Sequence, residues 1–190
     1  MNIQKIIRRI VDIEWAMFQQ VKSAIPAPCQ WQPDVFKQIR TSVYETWAVV
    51  ALESCCLDFE IALKDGRNLL AEKYALMDGL IAPTRQNPLI DQIVVIESHW
   101  QDEIRRNYPT LYERVCRSTN PFGDGRNFSI YLRSELQTYS DRTIKLYWQA
   151  VTKALERKEN LARKSLEILV KRGGYRDLTH AEQHLSENER

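Results

Sequence analysis

Apolar residues recur along this chain at the three- and four-residue spacing that places them on one face of an α-helix. The first such segment covers residues 2–22, and its apolar positions share one side of the helical wheel. They are Ile3, Ile6, Ile7, Ile10, Ile13, Met17 and Val21. The pattern predicts an amphipathic helix, and Pro26 and Pro28 are expected to end it because proline cannot continue a helix.

The second segment, residues 35–64, is apolar on nearly every side, which is typical of a helix in the centre of a bundle. Asp34 precedes the segment at the position of an N-cap. Gly66 follows it, and glycine commonly ends helices because it adopts the left-handed conformation without strain. We therefore predict one continuous central helix that stops at Gly66.

Further segments keep the helical spacing, and none alternates apolar and polar residues as a half-buried strand does. The stripe that starts after Ser140 stays in phase to Leu169, so it forms either one long helix or two collinear helices with a break near Asn160. The other predicted helices cover residues 68–80, 90–107, 110–117, 129–137 and 178–186. The sequence thus predicts an all-α fold, a single-domain bundle of about six to eight helices over residues 1–190, with a frayed tail from about residue 186.

Composition narrows the functional class. A chain of 190 residues with 44% hydrophobic residues suits one domain with a substantial core. Its net charge of +2, with both signs interspersed, gives no reason to expect a nucleic-acid partner. No apolar run reaches the length of a membrane span, and the first helix mixes charges among its apolar positions, unlike a signal peptide. The four cysteines lack CxxC spacing. Without a signal peptide or a membrane span, we expect a cytoplasmic location, reduced thiols and no membrane partner.

Four of the predicted helices each place one carboxylate among apolar positions: Glu14, Asp58, Glu72 and Glu97. An unpaired buried carboxylate is costly, so each must pair with a cation, bind a metal ion or take up a proton. The chain offers arginine, lysine and tyrosine partners for this purpose. They are Arg40, Arg67, Lys73, Arg133, Tyr74, Tyr131, Tyr139 and Tyr147.

Three interpretations of these acids remain open. The first is a set of separate, structural ion pairs and tyrosine hydrogen bonds. The second is an internal polar cavity that binds a small molecule carrying amine and carboxylate or phosphate groups. The third is a dinuclear metal site, which normally uses Glu-x-x-His. The nearest match here is Glu97 with His99, whose i,i+2 spacing points the two side chains apart, and His180 and His184 near the C-terminus are expected to be surface residues.

The tetrapeptide DGRN occurs twice, at residues 65–68 and 124–127. It is not a phosphate-binding loop, because it has one glycine and no following Lys-Ser/Thr. In the first copy we expect Gly66 to stop the central helix and Asn68 to cap the next one. The second copy is expected to be a loop without functional meaning. No cysteine or serine has the neighbours of a catalytic nucleophile.

Several stretches, taken in order, resemble a bacterial family known only as domain of unknown function 4125. They are DIEWAMFQQV (12–21), CQWQPDVFKQIR (29–40), GRNLLAEKYALM (66–77), YLRSELQTYSDRTIKLY (131–147) and GYRDLTHAEQHL (174–185). The resemblance covers almost the whole chain and implies a small bacterial helical protein. It supplies no catalytic residues, because the family has no assigned activity. The chain departs from the family in the residues that flank Cys29-Gln30, with AIPAP before them and Trp31-Gln32-Pro33 after them.

The functional hypothesis is therefore a small polar or anionic metabolite bound in an internal pocket lined by carboxylates and arginines, whether or not a carboxylate there acts as an acid or base of an enzyme. No cofactor is identified and no metal ligand is assigned. The candidate ligand-binding residues are Glu14, Arg40, Asp58, Arg67, Asn68, Glu72, Tyr74, Glu97, Arg133, Glu135 and Tyr139. The alternatives are an interaction module or homodimer with a purely structural ion-pair network, for which an exposed apolar patch around Trp15 and Trp31 is expected, and a metal-dependent enzyme.

Overall fold

The computed structural model describes residues 2–21, 31–83, 86–120 and 127–188 of the chain. Every regular element in these ranges is an α-helix, which confirms the predicted all-α class. Ten helices are present there, more than the six to eight predicted. They are α1 (Ile3–Gln19), α2 (Pro33–Tyr44), α3 (Val49–Lys64), α4 (Leu69–Met77), α5 (Pro88–Asn107), α6 (Pro109–Val115), α7 (Phe128–Leu136), α8 (Asp141–Glu156), α9 (Leu161–Arg172) and α10 (Leu178–Glu187).

Most helices begin at a side chain that caps them. The capping oxygen accepts a hydrogen bond from one of the first backbone N–H groups, which have no partner inside the helix. These caps are Asn2, Asn68, Asn87, Asn127, Ser140, Asn160 and Asp177. The predicted cap at Asn68 is thereby confirmed. The predicted cap at Asp34 is wrong, because α2 starts one residue earlier, at Pro33, and Asp34 lies in its first turn.

The predicted central helix is two helices in the structure. α2 ends at Tyr44 and α3 begins at Val49, because Ala48 leaves the helical region with φ −66° and ψ 143°. The turn between them inserts Trp47 into the interior, where it is only 8% exposed. The sequence does not show this break, because apolar positions continue at helical spacing without interruption from α2 into α3. Gly66 ends α3 with φ +68°, as predicted.

The long stripe after Ser140 is also divided. Lys158 adopts φ +58°, and Glu159 N–H bonds back to the carbonyl of Ala154, which closes α8. Asn160 then caps α9. Of the two alternatives left open by the sequence, the pair of helices is the one observed, and this break contributes to the higher helix count.

Two clusters of buried side chains hold the helices together. The first joins α1, α3, α5 and α8 and includes Ile10, Leu52, Ile93 and Ile144, which are all fully buried. The second joins the end of α5 to α6, α9 and α10 through a further set of aliphatic side chains. This set includes Ile104, Leu111, Leu166, Val170 and Leu178. Each fully buried aliphatic side chain contributes about 1.5–3 kcal/mol relative to an exposed one.

Helix α5 takes part in both clusters and packs against α6, α7, α8 and α9. α2 reaches the same region by packing against α1 and α9. The space between these helices holds the site described below. Within the described ranges no helix combines the length and the apolar character that crossing a membrane requires. Pro26, Pro28, Cys29 and residues 124–126 of the second DGRN lie outside those ranges.

Candidate functional site

Arg40 of α2 is the centre of a buried network of charges. Its Nε donates to Oε2 of Glu14 at 2.9 Å, and its Nη2 donates to Oε1 of Glu14 at 2.6 Å. This two-bond geometry is the strongest arrangement available to a guanidinium and a carboxylate. Glu14 comes from α1 and is 1% exposed, so the pair ties α1 to α2 inside the core.

A second acid, Glu135 of α7, completes the charge balance. Its Oε1 accepts from Arg40 Nη2 at 2.8 Å, and its Oε2 accepts from the ammonium of Lys73, which is 2% exposed. Burial alone would raise the pKa of Glu135, but Arg40 and Lys73 outweigh it and lower this pKa to about 2. Likewise burial opposes the charge of Arg40, yet Glu135 and Glu14 hold its pKa above the usual value. Arg40 and Glu135 therefore each favour the charged form of the other.

Two tyrosines satisfy the remaining hydrogen-bonding capacity. Tyr44 accepts from Arg40 Nη2 at 2.8 Å and donates to Glu14 Oε1 at 2.9 Å, while Tyr139 donates to Glu135 Oε1 at 3.2 Å. We refer to the six residues Glu14, Arg40, Tyr44, Lys73, Glu135 and Tyr139 as the Arg40 network. It connects α1, α2, α4 and α7, and both of its acids find a cation and a tyrosine as partners within it. The structural interpretation of the inward acids requires this.

Asp58 lies apart from this network. Its Oδ2 accepts from the backbone N–H of Ser140 at 2.9 Å, from the Ser140 hydroxyl at 3.0 Å and from the Thr143 hydroxyl at 2.7 Å. These contacts tie α3 to the first turn of α8. An acidic side chain at this end of a helix also interacts favourably with the backbone N–H groups that have no partner inside the helix. Asp58 therefore has a structural role at the start of α8.

Three further candidates are near the surface. Arg67 donates to Glu72 at 2.9 and 2.6 Å in a pair whose side chains are 47% and 28% exposed, and Arg133 pairs with Asp91 on the surface. The prediction that Glu72 faces the interior is wrong, because α4 begins at Leu69 and its first turn lies beside Arg67. The structure therefore does not gather the four predicted inward carboxylates at one place.

A cavity of about 520 Å³ lies between α2, α5, α7 and α9. Its described walls are mostly aromatic and aliphatic. They include Phe18, Phe36, Val43, Trp47, Tyr74, Ile104, Phe128, Tyr131, Leu132, Tyr147, Leu161, Leu166 and Leu169. Of the eleven candidate ligand-binding residues, four line this cavity. They are Arg40, Tyr74, Glu97 and Glu135.

Glu97 differs from the other buried acids. It projects from α5 with 7% exposure, and Tyr147 of α8 donates a hydrogen bond to its Oε1. Burial raises the pKa of Glu97 to about 7, and the Tyr147 hydrogen bond opposes only part of this shift. A carboxyl that changes charge near neutral pH is suited to binding or proton transfer.

Trp47 and Gln101 line the same cavity, and each carries a buried polar atom. Trp47 stacks on Tyr147 with ring centroids 4.1 Å apart, and Gln101 follows Glu97 by one helical turn on α5. Trp47 Nε1 and Gln101 Oε1 are buried and have no hydrogen-bond partner among the described residues. Leaving such a group unpaired costs about 1–3 kcal/mol. We call Trp47, Glu97, Gln101 and Tyr147 the polar corner.

Sequence reasoning found part of this corner. Glu97 stood out as an acid on an apolar face, and Tyr147 was identified as a possible partner for such acids. Trp47 could not be found in this way, because a tryptophan at helical spacing is ordinary core and its indole N–H gives no signal in the sequence. Tyr44 could not be found either, because nothing in the sequence shows which acid its hydroxyl contacts.

A metal centre receives no support from the geometry. In the described ranges no three His, Cys, Asp or Glu side chains come together in a way that could hold a metal ion. His180 accepts from the backbone N–H of Arg176 at 3.2 Å, and His184 lies beside Asn188. Both histidines pack their rings against Tyr175.

The fold and the site together define the class of this protein. Its described part is all-helical and holds a buried charge network beside an aromatic cavity. The chain belongs to the family described as Protein of unknown function (DUF4125), whose sequence profile matches residues 4–183. The resemblance noted in the sequence is thereby confirmed. No curated protein and no solved structure matches the chain.

Proposed function

We propose that the protein binds a small molecule in the cavity and holds the polar part of that molecule at the polar corner. The observation that carries this proposal is the pair of buried atoms there, a donor on Trp47 and an acceptor on Gln101, that lack partners among the described residues. A ligand with a complementary acceptor and donor would satisfy both and remove the cost of leaving them unpaired.

The size and character of the cavity support the same conclusion. Ligand sites are typically about 300–1,000 Å³, mostly apolar, with a few convergent polar groups. The present cavity has about 520 Å³ and an aromatic wall interrupted by the polar corner. A ligand that fits it has an apolar body and a small polar end. This refines the expectation of a wholly polar or anionic metabolite.

The Arg40 network supports binding indirectly. Arg40 and Glu135 form part of the cavity wall but already satisfy each other. Their bonds to Glu14 and Lys73 tie α1, α2, α4 and α7 together, so we expect this part of the wall to keep its shape without a ligand. Preorganisation of this kind lowers the entropic cost of binding.

The test uses a fluorescent probe and a blocked cavity. 1-Aminoanthracene, which becomes bright in apolar surroundings, is titrated into the wild-type protein and into Ser165→Phe, whose larger side chain enters the cavity from α9. Lys164→Phe is the matched control, because Lys164 is an exposed neighbour that does not line the cavity. Ala162→Met serves as a second blocking variant, and circular dichroism checks that each variant folds.

We expect the wild type and Lys164→Phe to bind the probe with similar affinity, and both blocked variants to bind it at least about tenfold more weakly. A tenfold loss corresponds to about 1.4 kcal/mol, a modest penalty for occupying a binding site. Equal affinity for all four proteins would place the probe elsewhere and reject the proposal.

A second candidate function, interaction with another protein or with a second copy, is favoured by one face of α3. Val50, Leu57 and Ile61 lie on that face at intervals of seven and four residues and are 54%, 47% and 46% exposed. Light scattering after size exclusion tests the homodimer. A dimer that Leu57→Glu dissociates supports this candidate, and a monomer at all concentrations removes the second copy as the partner.

A further inference from the structure

Glu97 is the buried acid whose charge the described residues leave uncompensated. Glu14 and Glu135 each pair with Arg40, and Glu135 also pairs with Lys73. Glu97 has no ion pair in the described ranges, and Tyr147 is the neutral group that donates to it. An isolated carboxylate in an apolar cavity is strongly disfavoured, so a positive charge brought to it would be held tightly.

A second acceptor lies beside it. Gln101 is four residues after Glu97, so both side chains project from the same face of α5. Both line the cavity, and the buried Gln101 Oε1 lacks a donor among the described residues. Two acceptors on one helical face call for a ligand group with more than one N–H, since a single hydroxyl has only one hydrogen to give.

Aromatic rings line the same cavity as this pair of acceptors. Trp47 and Tyr147 stack against each other next to Glu97, and the rings of Phe18, Phe36 and Tyr131 line the same cavity. Electron-rich ring faces attract cations, and an aromatic wall with one carboxylate is a common way to hold an ammonium group. Tyr131 already illustrates this preference, with the Lys73 ammonium 3.3 Å from its ring centroid.

We propose that the ligand of this cavity is a primary amine, whose ammonium group binds between Glu97 and Gln101 while its apolar body fills the aromatic part of the cavity. This assignment rests on the proposed function and specifies its ligand class. Trp47 Nε1 would donate to an acceptor atom of a natural ligand, so the ligand class extends to amines that also carry an oxygen.

Binding of an amine is then linked to the ionisation of Glu97. Burial raises the pKa of Glu97 to about 7, and Glu135 of α7 also disfavours its charge. The other titratable or charged groups that line the cavity come from α2, α4, α7 and α8 and from the end of α6. They are Tyr147 of α8, Arg40 of α2, Tyr74 of α4, Tyr131 of α7, and Arg114, Cys116 and Arg117 at and after the end of α6, while α9 contributes none.

The amine needs the ionised carboxylate, so its affinity should rise roughly tenfold between pH 6 and pH 8 as Glu97 loses its proton. Binding near pH 7 should also release about half a proton, because the ammonium favours the charged form of Glu97. Glu97→Gln removes both effects. Glu103→Gln, a substitution on the same helix at a residue that does not line the cavity, should retain them.

The experiment compares three probes of one shape by isothermal titration calorimetry: 2-naphthylmethylamine, 2-naphthalenemethanol and 2-naphthoate. Each is titrated into wild type, Glu97→Gln, Glu103→Gln and Ser165→Phe at pH 6 and pH 8, in buffers of different ionisation enthalpy that report proton release. We expect the amine to bind wild type at pH 8 at least about tenfold more tightly than the alcohol, and Glu97→Gln to lose this preference.

Failure of the amine assignment and failure of the proposed function give different experimental results. If the alcohol or the naphthoate binds as tightly as the amine, and Ser165→Phe still abolishes binding, the cavity is a ligand site but the amine assignment is wrong. The amine assignment is also wrong if Glu97→Gln keeps both the preference and the proton release. If no probe shows binding that Ser165→Phe weakens, the proposed function itself is rejected.

Discussion

Tyr147 donates a hydrogen bond to the buried carboxyl of Glu97, and the tyrosine ring stacks on Trp47 at 4.1 Å. Through these two contacts α8 fixes both an acid from α5 and an indole from the turn after α2. The three side chains are therefore held together by a hydrogen bond and by ring stacking. Burial at this place raises the pKa of the Glu97 carboxyl to about 7.

The stability of the protein should depend on pH through Glu97. Its pKa is raised to about 7 in the folded chain, so between its ordinary value and pH 7 the unfolded chain has lost this proton and the folded chain has not. The free energy of unfolding therefore falls as pH rises through this window, by roughly 3 kcal/mol from this residue. Urea unfolding of wild type and Glu97→Gln at pH 4, 6 and 8 isolates the effect. Their difference should shift by that amount in favour of the variant at high pH, and a constant difference would contradict the assignment.

Glu135 should have the opposite pH dependence. Arg40 and Lys73 lower its pKa to about 2, so its stabilising effect is fully present above the ordinary carboxyl pKa and is lost as pH falls towards 2. Wild type should exceed Glu135→Gln in free energy of unfolding at pH 6, and the advantage should shrink by roughly 2–3 kcal/mol at pH 2. The same urea series at low pH measures it. An advantage that grows on acidification would show that Arg40 and Lys73 do not stabilise the charged form of Glu135.

Removing Arg40 should be far more damaging than removing an exposed arginine. Arg40→Ala leaves Glu14 and Glu135 buried with too little positive charge, and we expect a loss of about 3–5 kcal/mol. Arg67→Ala breaks an ion pair whose arginine is 47% exposed, and should cost less than about 1 kcal/mol. Urea denaturation at pH 7 compares the two variants directly. Similar losses would mean that the buried network contributes no more than a surface pair.

Asp58 should affect stability without affecting ligand binding. Asp58→Ala removes the acceptor of three hydrogen bonds at the start of α8, and we expect a loss of about 1–2 kcal/mol. Asp58→Asn retains an oxygen acceptor and should lose less. Both variants should bind 1-aminoanthracene like wild type. Weakened probe binding in Asp58→Asn would move this residue from a structural place into the ligand site.

Helix identity was predictable from the sequence, but helix ends inside buried stretches were not. The stop at Gly66 and the cap at Asn68 are local features with their own conformational signatures, and both are present. The turn at residues 45–48 contains no glycine or proline, and no side chain in it caps the start of α3, so nothing in the sequence predicts it. It exists because Trp47 is buried between neighbouring helices, a tertiary contact that the periodicity of one segment does not contain.

The candidate site was predictable to a similar extent. Helical spacing identified Glu14 and Glu97 as buried, because a charge among apolar neighbours is visible in the sequence. Spacing could not show that Glu14 is neutralised by Arg40 while Glu97 is not, since that depends on which helices pack together. It also placed Glu72 inside, because the wheel of a nine-residue helix does not specify how much of it is covered.

Amine binding in the cavity is tested most directly by a crystal structure of the protein with 2-naphthylmethylamine. We expect the naphthalene ring to lie within the aromatic walls of the cavity and the nitrogen to lie within hydrogen-bonding distance of the Glu97 carboxyl and Gln101 Oε1. A probe found only on the surface, or one with its nitrogen directed away from Glu97, would contradict this expectation.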